Sequence, residues 1–119
     1  MWNKPKEQQV ALPVAATSGD RELLSQIERR SPLDQPRHWI HYLFFPRKNH
    51  ATIAAEVIAA AGWSVTVARS AGGRARWLLT AEKSAAITDL STVAEARHSF
   101  ESIVRVCPGS DYDGWEAST

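Results

Sequence analysis

The run Arg37-His-Trp-Ile-His-Tyr-Leu-Phe-Phe45, set between Pro36 and Pro46, constrains the fold of this chain more than any other stretch. Aromatic and branched residues dominate it, which is a strand composition, and Pro46 ends it. Side chains alternate across a strand. Trp39, Leu43 and Phe45 therefore share one face, and Ile40, Tyr42 and Phe44 share the other. Both faces are apolar. A strand of that kind is expected at the centre of a sheet, covered on both sides.

The flanking segments supply what such a strand needs. Asp20 to Arg30 reads as a short helix, with Asp20 as its cap and Leu23, Leu24 and Ile27 as one apolar stripe. Three turns are marginal alone, so this helix must dock on something. Ser31-Pro32 stops it, and Leu33 to Pro36 is an extended link. After the strand, Asn49 caps a helix running to about Ala61, with Ile53, Ala54, Val57, Ile58 and Ala61 facing inward and Gly62 as the stop. Trp63 to Val67 alternates as a strand, Ala71-Gly72-Gly73 is a turn, and Ala75 to Ala81 is the next strand. A second long helix spans about Thr88 to Val106, with Leu90, Val93, Arg97, Phe100, Val104 and Cys107 inward. Asp89, or a box from Thr92 to Glu95, starts it. Cys107-Pro108-Gly109 breaks the chain before a final strand.

The order is βαββαβ. Right-handed crossovers put both helices on one face of an antiparallel sheet, so the expected fold is a ferredoxin-like α+β sandwich with an added N-terminal helix. At 119 residues the chain is one domain: a flexible arm over 1–19 and a folded domain over 20–119.

Composition narrows the function classes. A net charge of +1 gives no argument for nucleic acid or membrane binding. No apolar run has transmembrane length, and Val10 to Ala16 is a weak candidate for a secretory signal. The lone Cys107 permits no internal disulfide, which points to the cytoplasm. His38 and His41 lie three apart in a strand and face opposite ways, His50 and His98 fall on different helices, and no cysteine cluster exists, so no metal is expected. No nucleophile motif surrounds Ser84, Ser91 or Ser99, and Gly72-Gly73 lies in a hairpin rather than before a helix. The chain reads as a non-enzymatic protein without a cofactor.

The last strand, Tyr112-Asp113-Gly114-Trp115-Glu116, carries the most specific signal. Tyr112 and Trp115 are three apart, so strict alternation puts them on opposite faces, unless a bulge at Gly114 re-aims one. That ending resembles the ribonuclease E inhibitor family, the regulators of ribonuclease activity B. Asp20-Arg-Glu-Leu-Leu24, Leu33-Asp34-x-Pro36-Arg37, the aromatic strand ending Phe45-Pro46, and Ala61-Gly62-Trp63 fit the same pattern over about Asp20 to Ala117. The resemblance implies an α+β protein that binds and inhibits endoribonuclease E and so modulates RNA decay. The family's inhibitor is strongly acidic, whereas this chain is near neutral.

Contact with a protein partner, as monomer or homodimer, is assigned to Tyr112, Asp113, Trp115 and Glu116, with Tyr42 and Arg37 next. Tyr and Trp pair large apolar area with a polar tip. The competing expectation is that Trp115 fills the core and Gly114 gives clearance. A patch of Ile40, Tyr42, Phe44 and Leu78 opposite the helices is a second interface candidate, and the simpler expectation is that Leu23, Leu24 and Ile27 cover it. Arg29, Arg30, Arg37, Arg47 and Lys48, with Arg69, Arg74 and Arg76, are read as a solvated rim. RNA binding is a minor reading, because the third strand lacks the aromatic motif of RNA-recognition domains. An immunity-like protein that neutralises another enzyme is the alternative class.

Overall fold

The computed structural model describes residues 16–70 and 76–119. The elements are α1 (Ser18–Glu28), β1 (Arg37–Phe45), α2 (Lys48–Ala60), β2 (Ser64–Arg69), β3 (Trp77–Ala86), α3 (Leu90–Arg105) and β4 (Asp111–Ala117). The strands form one sheet in the order β2-β3-β1-β4, and every pairing is antiparallel. Apart from α1, this is the βαββαβ order and the ferredoxin-like arrangement expected from the sequence. The hairpin turn at 71–73 and most of the 1–19 arm lie outside the described residues.

Three helices pack on a single side of the sheet. Leu43 and Phe45 of β1, Leu79 and Ala81 of β3, Ala51, Ala54 and Ile58 of α2, and Phe100 of α3 form one buried cluster. Trp39, Trp115, Val93, Leu24 and Ile27 form the second, where α1 joins α3. Fully burying an aliphatic or aromatic side chain is worth roughly 1.5–3 kcal/mol, so these clusters hold the layers together. The odd-numbered residues of β1 are buried and the even-numbered ones are not. β1 is central, as its composition requires, but it is covered on one side only.

Helix ends and helix faces depart from expectation in instructive ways. Thr17, not Asp20, caps α1: its hydroxyl accepts from the Asp20 N–H at 3.0 Å, and the Asp20 carboxylate accepts from the Thr17 N–H at 3.2 Å. Asp20 therefore sits inside the first turn and is free to point into the protein. α2 has no side-chain cap; Asn49 lies within it. Its inward face is Ala51, Ala54 and Ile58, while Ile53 and Val57 are 59% and 55% exposed. Alanine or larger apolar residues line most of α2, so periodicity alone does not choose a face, and the small side chains let the helix approach the sheet. α3 is closed by a box between Asp89 and Thr92, and Leu90 stays exposed at the surface. β3 runs on to Ala86, five residues beyond its expected end.

β4 bends where its glycine lies. His41 opposes Trp115 and Leu43 opposes Tyr112, so two residues of β1 are matched by three of β4. The extra residue is a bulge at Asp113-Gly114, and Gly114 takes φ +95°, a conformation that side chains rarely adopt. Tyr112 and Trp115 consequently face the same way, toward the helices.

Candidate functional site

Directly opposed residues in antiparallel strands lie on the same side of the sheet. On the side away from the helices, Phe44 opposes Leu78 and Asp111, Tyr42 opposes Thr80, and Ile40 opposes Glu82 and Glu116. Ile40, Tyr42, Phe44 and Leu78 are half-buried, and both apolar clusters of the described residues lie on the other side. The expectation that Leu23, Leu24 and Ile27 cover this strip is overturned. Leu24 and Ile27 pack with Trp39, Val93 and Trp115, so α1 sits with the other helices. The strip is rimmed by Glu82, Asp111, Asp113 and Glu116.

Two aromatic rings of β1 each meet a carboxylate from β4 across this face. At Phe44 the carboxylate is Asp111, and Arg76 completes the group. Its Nη2 donates to Asp111 Oδ2 at 2.5 Å and to the Gly109 carbonyl at 3.2 Å. Its guanidinium lies 5.5 Å from the Phe44 ring centre. At Tyr42 the carboxylate is Glu116, which accepts a hydrogen bond from the phenol. That bond, with desolvation and the negative charges of Glu116 and Glu82, pushes the Tyr42 pKa up to about 12. The bulge sets Asp113 and Gly114 opposite Tyr42 as well. No Lys or Arg among the described residues pairs with Glu116 or Asp113. Glu82 is met by His38 Nε2 at 2.6 Å.

The opposite side of β4 is a structural knot. Asp20 receives Arg97 Nε at 2.6 Å, Arg97 Nη2 at 2.8 Å and Trp115 Nε1 at 2.9 Å. Burial opposes ionisation of Asp20, but the hydrogen bonds from Arg97, Trp115 and Thr17 outweigh it and lower its pKa to about 2. The same bond to Asp20 raises the Arg97 pKa. Arg97 lies over the Tyr112 ring at 5.0 Å, and the Tyr112 hydroxyl meets His41 Nδ1 at 2.7 Å. His41 is fully buried among Trp39, Trp63, Phe100 and Tyr112. Desolvation and then the charge of Arg97 lower its pKa to about 3, so it is neutral at pH 7.

The six residues assigned to partner contact thus separate. Tyr42, Asp113 and Glu116 come together on the open face. Trp115 is 8% exposed and belongs to the core, and Tyr112 is half-buried against His41. Arg37 is buried, donating to the Pro32 and Ser118 carbonyls at 2.5 and 3.3 Å, and it ties the link before β1 to the end of β4. Residues that sequence reasoning passed over are Asp20 and Arg97, whose pairing spans 77 positions, and the Arg76–Asp111 pair. Arg76 was legible as a neighbour of Leu78 on its face, but its partner depended on the β1–β4 register.

Two other features were tested for chemistry. Between α2 and α3 lies a cavity of about 750 Å³ walled by Val57, Ile58, Trp63, Phe100 and Ile103, with Lys83 stacked on Trp63. Its walls are mainly apolar, and no set of polar groups converges on it. Among the described residues no group of three His, Cys, Asp or Glu is placed to hold a metal ion, and no helix is long and apolar enough to cross a membrane.

Comparison with known proteins gives one result. Residues 18–117, from the first residue of α1 to the last of β4, match the family model RraB, regulator of ribonuclease activity B. No curated protein matches the chain.

Proposed function

Because the chain belongs to the regulator of ribonuclease activity B family, we propose that it binds endoribonuclease E through the open face of its sheet and restrains RNA cleavage. One observation carries the choice of surface: Ile40, Tyr42, Phe44 and Leu78 form an apolar strip that α1 leaves uncovered. An apolar centre with a polar rim is the usual anatomy of a protein interface. The rim chemistry favours protein over RNA. Four carboxylates, Glu82, Asp111, Asp113 and Glu116, repel phosphate, and Arg76 is already tied to Asp111.

The test is cleavage of an RNA substrate by purified endoribonuclease E with increasing amounts of this protein. Cleavage slows as the protein is added. Phe44→Glu restores the rate while the melting curve of the variant stays two-state. Undiminished cleavage at saturating protein, with no co-elution of the two, removes endoribonuclease E as the target.

A further inference from the structure

On the open face the chain binds one of its own arginines in a way that defines a repeatable unit. The unit is an aromatic ring from β1, a carboxylate from β4, and a guanidinium that lies over the first and bonds the second: Phe44, Asp111 and Arg76. Two residues along β1 the first two parts recur. Tyr42 supplies the ring, Glu116 the carboxylate, and Asp113 adds a second carboxylate from the bulge. No described cation completes this second group. The Tyr42 hydroxyl engages only Oε1 of Glu116 and so pins the carboxylate beside the ring, leaving Oε2 for another donor.

We propose that Tyr42, Glu116 and Asp113 form a seat for an arginine side chain of the partner protein. The inference rests on the reading that the open face is the partner surface, and it names the chemistry of that partner: an arginine-bearing segment. Charge complementarity supports it, since the carboxylates of a chain with net charge +1 are gathered here around the apolar strip. Arginine fits better than lysine for two reasons. A planar guanidinium stacks on a ring while donating in its own plane to a carboxylate, and it sheds water more readily than an ammonium. The seat occupied by Arg76 shows both contacts made at once.

The experiment is calorimetric titration of the full chain with a hexa-arginine peptide and with a hexa-lysine peptide at physiological salt. The arginine peptide binds more tightly. Glu116→Gln weakens it by about tenfold, the effect of one charge-assisted hydrogen bond, with the melting curve unchanged. Arg76→Ala opens the Phe44–Asp111 seat and tightens binding. Equal affinity for the two peptides, or no effect of Glu116→Gln, overturns the seat. Binding of endoribonuclease E separates this from the surface assignment. If Phe44→Glu abolishes capture and Glu116→Gln does not, the face stands and the arginine seat falls; if neither variant matters, the face itself falls.

Discussion

The two faces of the sheet are built from the same strands and handle polar groups in opposite ways. Toward the helices, charge is admitted only when it is enclosed: Asp20 is 3% exposed and is held by Arg97, Trp115 and Thr17 together. His41 is tolerated there by staying neutral. Away from the helices, the charges are exposed and pair loosely in twos, His38 with Glu82 and Arg76 with Asp111. Buried groups lose water that only protein partners can replace, so removing one partner is costly. Exposed pairs exchange water for each other at little gain. The inner face therefore carries the stability of the protein, and the outer face is available for recognition.

The sharpest way to break this division is to cut into the inner face. Trp115→Ala removes a core ring and the donor to Asp20, and we expect a loss of about 3–5 kcal/mol in chemical denaturation. An unchanged midpoint would contradict the assignment of Trp115 to the core. Asp20→Ala, which leaves Arg97 and Trp115 without their acceptor, is expected to cost about 3 kcal/mol. Acid probes the same face without mutation. The folded pKa values of His41 and Asp20 both lie below their unfolded values, so each contributes stability above the unfolded value and loses it as the pH falls. For His41 the window runs from 6.5 down to about 3, and for Asp20 from 3.8 down to about 2. Denaturation midpoints measured from pH 7 to pH 3 should fall throughout; a flat profile would contradict the buried neutral state of His41.

Smaller effects sharpen the comparison. Gly114→Ala places a Cβ where there is space but where the backbone is strained, and we expect a loss of about 1–2 kcal/mol. Tyr42→Phe removes only the phenol that holds Glu116, and its cost in thermal melting should stay below about 1 kcal/mol, even where partner binding suffers. A Tyr42→Phe loss as large as that of Trp115→Ala would mean that the outer face is structural too.

Much of this arrangement was legible before any coordinates. Alternation in β1, the stop at Gly62, the box at Asp89 and the glycine in β4 are local signals, and each specified its element. The side on which α1 docks was not legible. Leu23, Leu24 and Ile27 match either apolar face of β1 equally well, and the choice is made by Asp20, whose partners Arg97 and Trp115 are remote in sequence. The inward face of α2 was obscured by its many alanines. The site residues divided as they did because β4 alternates out of step across its bulge, which a list of residue types does not reveal.

The bulge at Gly114 has a consequence of its own. One additional residue in a ladder works as a change of phase: before it and after it, the parity that assigns a position to the inside or the outside is reversed. Trp115 is inward and Glu116 outward only because that change has occurred. Deleting a single residue at Asp113 would restore strict alternation, expel Trp115 from Asp20 and drive Glu116 into the core. The strand is accordingly forgiving in the identity of its outer residues and rigid in their number, so insertions and deletions there are expected to be far more damaging than substitutions.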